Sequence, residues 1–188
     1  MKKIVNTLLP VSILFFAACG NSTEADHSHD GHNHDAAGHS HTAPADSTKQ
    51  AATIQLKDDK LNAVYLQYDQ LTKALINGQL AEAKIAGNAI ETGAKEIPGA
   101  SAIQASAGKI TNATDLEAQR VAYSALSNEL ISLVKKSGLN SGQLYVDYCP
   151  MALNDKGGYW LSTVKEIRNP YFGDKMMSCG EVKDSIGQ

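Results

Sequence analysis

From Gly20 to Thr53 the chain carries no leucine, isoleucine, valine or aromatic residue. A segment of that composition buries too little apolar surface to offset the entropy of ordering. The sequence therefore predicts a disordered tether over 19–53 and confines any folded core to the residues that follow. All six histidines, His27, His29, His32, His34, His39 and His41, lie in this stretch as three His-x-His pairs. Neutral imidazole suits zinc, Cu(II) and nickel, and a biased tract of this kind reads as metal capture. Ligands that order only on binding give modest affinity, so the tract reads as a sponge for zinc or Cu(II).

The first 18 residues read as a signal peptide. Lys2 and Lys3 make a positive start, and Leu8 to Ala18 is an apolar run too short to span a bilayer. Ala17-Ala18-Cys19 resembles a bacterial lipobox, with Phe16 where leucine is usual. The resemblance implies a lipidated Cys19, a membrane anchor, and a body that works in the periplasm, where disulfides persist. Gly20 stands where an aspartate retains some lipoproteins at the inner membrane, which favours the outer membrane. A net charge of −3 with no basic stripe gives no reason to expect nucleic acid.

Residues 54–140 carry a helical period. Leu61, Val64, Tyr65, Tyr68, Leu71 and Leu75 recur at three- and four-residue spacing, and Asn77-Gly78 breaks the run. Leu80, Ala83, Ala86, Ile90 and Ala94 form a second stripe, ended by Pro98-Gly99. A third, weaker helix covers Ala102 to Ile110. Thr114-Asp-Leu-Glu117 reads as a capping box for a fourth, with Leu116, Val121, Leu126, Leu130, Leu133 and Val134 on its apolar face. Lys135, Lys136 and Gly138 suit its C-terminus. The expectation is a mainly α protein: an up-and-down four-helix bundle serving as scaffold, since these helices carry no histidine or cysteine.

Residues 141–188 change character, with Tyr145, Tyr148, Tyr159, Trp160, Tyr171 and Phe172 crowded together. Gln143 to Tyr148 alternates as a strand, and Lys156-Gly157-Gly158 reads as a turn into a return strand. The expectation is a small β-hairpin or irregular lobe packed on the bundle. Sulfur marks the ends of its central segment, with Cys149-Pro150-Met151 at one and Met176-Met177-Ser178-Cys179 at the other. Soft thiolate and thioether ligands select Cu(I), and Ag(I) by the same argument. Spacing alone leaves a Cys149–Cys179 disulfide, a two-Cys, two-Met metal site, and inert thiols all open.

Tyr148-Cys149-Pro150-Met151-Ala152, Lys156-Gly157-Gly158-Tyr159-Trp160-Leu161-Ser162, Glu166 to Gly173 and Met176 with Cys179-Gly180-Glu181-Val182 resemble a bacterial domain-of-unknown-function family. That family occurs as small lipoproteins and as the C-terminal domain of CusB-like and HlyD-like periplasmic adaptors of heavy-metal efflux pumps. The resemblance runs from about Asp58 to Val182 and implies periplasmic handling of copper or a related metal. It places Cys149, Met151, Met176 and Cys179 on the family's sulfur positions, and Met177 where an aliphatic residue is common. Gly157, Trp160, Asn169, Pro170 and Tyr171 read as the turn and aromatic wall around the sulfur ends. Glu166 and Arg168, too hard for Cu(I), read as braces of the loop.

These readings combine into a non-enzymatic lipoprotein that binds Cu(I) or Ag(I) and buffers it or delivers it to an efflux system, with a pump adaptor as partner. No nucleophile, base and cofactor motif coincide, which argues against an enzyme. The alternative is a structural or interaction lipoprotein locked by a Cys149–Cys179 disulfide, without a metal role.

Overall fold

The computed structural model of the protein describes residues 53–187. The signal segment, Cys19, the tether and its six histidines lie outside the described residues.

A two-residue strand, β1 (Gln55–Leu56), precedes four helices: α1 (Asp59–Ile76), α2 (Leu80–Ala94), α3 (Ser101–Asn112) and α4 (Leu116–Ser137). The Asp58 carboxylate caps α1 by accepting the Leu61 N–H at 2.8 Å, satisfying one of the donors that a helix start leaves free. The helix ends at Asn77, and Gly78 follows with φ +66°. Consecutive helices pack on one another through the stripes seen in the sequence, with Val64, Leu71, Leu75, Ala83, Ala86, Ile90, Ile103 and Ile110 all buried.

Two details of α4 differ from the reading of its sequence. Its cap is Asp115, whose carboxylate accepts the Ala118 N–H at 2.8 Å, and not Thr114. Thr114 instead donates its hydroxyl to that carboxylate at 3.1 Å, which leaves the stronger, charged acceptor facing the helix. Val121, expected on the apolar face, is exposed; the buried face runs through Ala122, Tyr123, Leu126, Leu130 and Val134.

Beyond Gly138 the chain forms β2 (Leu139–Ser141), which pairs antiparallel with β1. Leu56 therefore belongs to a strand and not to the start of the first helix. Three further strands, β3 (Gln143–Cys149), β4 (Gly158–Ser162) and β5 (Glu181–Gly187), make an antiparallel sheet in the order β4-β3-β5. The lobe was expected to hold two strands. The third, β5, reads EVKDSIG and is exposed along nearly its whole length, so it carries no buried alternation for a sequence pattern to reveal. Among the described residues no helix is long and apolar enough to cross a membrane.

A buried hydroxyl cluster ties the lobe to the helices. The Tyr68 hydroxyl of α1 accepts the Leu161 N–H of β4 at 3.1 Å and shares a hydrogen bond of 2.9 Å with Ser127 of α4. Tyr123 donates to Tyr68 at 2.8 Å, and Thr72 bonds Tyr123 at 2.8 Å. Buried hydroxyls are costly unless paired, and each of these is paired.

Candidate metal centre

Cys149 ends β3, where its strand partner is Gly158 of β4. Cys179 lies two residues before β5, on the far side of the segment between the strands. Because β5 lies beside β3, the approach to β5 returns Cys179 to the end of β3. With Tyr148 of β3 paired to Glu181 of β5, Cys149 and Cys179 stand on neighbouring chain ends, and both are free thiols. Cys149 is fully buried, whereas Cys179 keeps part of its surface in solvent. Burial, and after it the neighbouring Cys149, push the Cys179 thiol up to about 11.

Local backbone places the first sulfur end. After Pro150 and Met151 a short helical turn, Ala152–Asp155, contains Leu153 and Asn154 at φ +57°, and Asp155 follows at φ +63°. Left-handed backbone costs roughly 1–2 kcal/mol for each such non-glycine residue. The turn therefore persists because its surroundings hold it. Gly157 donates its N–H to the Ala152 carbonyl at 2.9 Å, closing the loop into β4.

The second sulfur end is held by Asn169, which is fully buried. Its amide nitrogen donates to the Cys179 carbonyl at 2.7 Å, and its amide oxygen accepts the Tyr171 N–H at 2.8 Å and the Phe172 N–H at 3.3 Å. Its backbone N–H donates to the Met177 carbonyl at 2.8 Å. One side chain thus fastens the Asn-Pro-Tyr-Phe turn to the run that presents Cys179. Arg120 of α4 anchors the same turn to the helices, donating from Nε to the Pro170 carbonyl at 3.0 Å and from Nη2 to the Leu75 carbonyl at 3.3 Å.

Aromatic rings back the pair. Tyr171 meets Trp160 edge-on at 6.0 Å and Tyr123 at 5.6 Å, and donates its hydroxyl to the Tyr159 carbonyl at 2.7 Å. Gly180 has φ +140°, and a Cβ there would come within 2.9 Å of both the Trp160 ring and the Tyr148 carbonyl. Only glycine lets the chain after Cys179 pass this close to β3 and its neighbour.

The methionines are placed less tightly. Met151 is 49% exposed and so does not act as core filler. Met176 and Met177 are both half-buried; the Cys179 N–H donates to the Met176 carbonyl at 3.1 Å, so this end forms a turn. Glu166 and Arg168 are exposed, and among the described residues neither enters an ion pair. They do not brace the loop through charge. Among the described residues no three histidine, cysteine or carboxylate side chains cluster to hold a metal.

One residue escaped the sequence reading. Asp147 of β3, two positions before Cys149 and on the same face of the strand, is fully buried, and neither carboxylate oxygen has a hydrogen-bond partner. Burial alone pushes its carboxyl up to about 7. Its strand partner is Trp160.

No curated protein and no solved structure matches this chain significantly. Residues 64–142 match a family described as "Protein of unknown function (DUF3347)", a span that covers most of the helical part and stops just before β3.

Proposed function

We propose that this protein is a membrane-anchored, periplasm-facing lipoprotein that binds a soft cation, Cu(I) or Ag(I), at Cys149 and Cys179. It buffers the ion or passes it to a heavy-metal efflux system. The observation that carries this reading is the pair of free thiols on neighbouring chain ends, with one member buried and the other partly open to solvent. Two neighbouring thiolates suit a low-coordinate soft ion, and Met151, two residues after Cys149, is half-exposed and adds a candidate thioether ligand. Met176 and Met177 are further candidate ligands from the same loop. Cys19 supplies the lipid anchor, and the six histidines gather zinc or Cu(II) at the tether. The four helices act as an up-and-down bundle, a scaffold without chemistry of its own, in line with the short connections between them. The protein is not an enzyme in this account, and its partners are the membrane and an efflux adaptor.

The same nearness of the two chain ends also supports the competing reading, a Cys149–Cys179 disulfide that merely locks the lobe. Titration of Cu(I) into the reduced full chain, in competition with a chromophoric chelator, separates the two. The proposal expects one tightly held Cu(I) that is lost in the Cys149→Ser, Cys179→Ser variant. Equal retention by both proteins, with an intact mass two hydrogens light whenever reductant is omitted, favours the disulfide reading.

A further inference from the structure

A pair of free thiols carried on two neighbouring chain ends has a second use. Forming a disulfide asks that the sulfurs close to about 2.05 Å, and the pairing of Tyr148 with Glu181 brings the two chain ends that carry them together. The pair is also asymmetric. Cys179 is reachable from solvent, while Cys149 sits fully buried behind it at the end of β3. An oxidising ion therefore meets Cys179 first, and Cys149 is the resolving thiol. Met151, two residues after Cys149 and half-exposed, carries a thioether, the ligand type that favours the reduced copper ion over the oxidised one.

We propose that the Cys149–Cys179 pair reduces Cu(II) to Cu(I), one disulfide being formed per chain. Two Cu(II) ions each take one electron. The S–H bonds of Cys149 and Cys179 break, one S–S bond forms, and two protons leave to solvent. The valence of the arriving copper then decides the outcome: Cu(I) is held by the dithiol, whereas Cu(II) is reduced, closes the disulfide and is released as Cu(I). A chain that has acted once stays closed until a dithiol reductant reopens it by exchange. The histidines of the tether are the ligand type that collects Cu(II), which is the form this step consumes.

The inference uses the thiol pair on which the binding proposal also rests, but not the retention of Cu(I), so the two fail separately. The reduced full chain is mixed anaerobically with excess Cu(II) in the presence of a Cu(I)-specific chromophoric chelator. The expected result is about two Cu(I) per chain above the level given by the Cys149→Ser, Cys179→Ser variant. Peptide mapping of the wild-type product should show Cys149 linked to Cys179, a readout that does not depend on any variant folding. If both thiols remain alkylatable after Cu(II) treatment, the inference is overturned, even where a parallel titration shows tight Cu(I) binding. Reduction with linkage but without Cu(I) retention upholds the inference and removes the buffering role.

Discussion

The side-chain amide of Asn169 donates to the Cys179 carbonyl at 2.7 Å while its oxygen accepts two backbone N–H groups of the following turn. Replacing Asn169 with alanine removes three hydrogen bonds and leaves buried backbone groups unpaired, at about 1–3 kcal/mol for each group stranded. Asn169→Ala should lower thermal stability and speed alkylation of Cys179 at pH 8 well before global unfolding. Unchanged alkylation would show that Cys179 is positioned by other contacts.

Asp147 makes stability depend on pH in an unusual direction. Its carboxyl is raised from 3.8 to about 7, so the folded state holds the proton more tightly than the unfolded chain does. Stability from this group is fully present below about pH 4, declines as pH rises toward 7, and stays low above it. The loss is on the order of 2–4 kcal/mol. Asp147→Asn should flatten that decline and raise the denaturant midpoint at pH 8, while leaving stability at pH 4 nearly unchanged. A variant less stable than wild type at pH 8 would contradict the assignment.

Tyr68 couples the lobe to the helices through the Leu161 N–H. Tyr68→Phe keeps the ring and removes the acceptor, stranding that N–H and weakening the pairing of Tyr123 and Ser127. The expected cost is about 2–3 kcal/mol. Hydrogen exchange should show β4 losing protection more than α2 does.

Gly180→Ala is the sharpest steric test of how Cys179 reaches Cys149. The added methyl meets the Trp160 ring and a backbone carbonyl, on a φ of +140° that side chains avoid. A loss of at least about 2 kcal/mol is expected, together with slower Cys149–Cys179 disulfide formation under a mild oxidant. Disulfide formation at the wild-type rate would show that the close passage at Gly180 is not what brings the thiols together.

The helices were legible because their apolar residues repeat at the helical period and because Asn77-Gly78 and Gly138 stop the chain where the backbone turns. The cap of α4 was misread by one position, since Thr114 and Asp115 are adjacent capable caps and only geometry shows which one faces the helix. Strand β5 was invisible because a solvated edge strand keeps no apolar alternation. Asp147 was missed for the opposite reason. Leu144, Val146 and Tyr148 mark one buried face of β3, which makes the other face look solvated. The chain beyond β4 returns to the sheet, where a Cβ at Gly180 would meet both Ile167 and Trp160, the strand partner of Asp147. Local alternation carries no record of what a distant loop will cover.

X-ray absorption at the copper edge, on the reduced full chain loaded with one equivalent of Cu(I), tests the central claim most directly. The account predicts a first shell of sulfur scatterers, which disappears in the Cys149→Ser, Cys179→Ser variant. A nitrogen or oxygen shell, unchanged by that double substitution, would contradict it and place the bound copper away from the thiol pair.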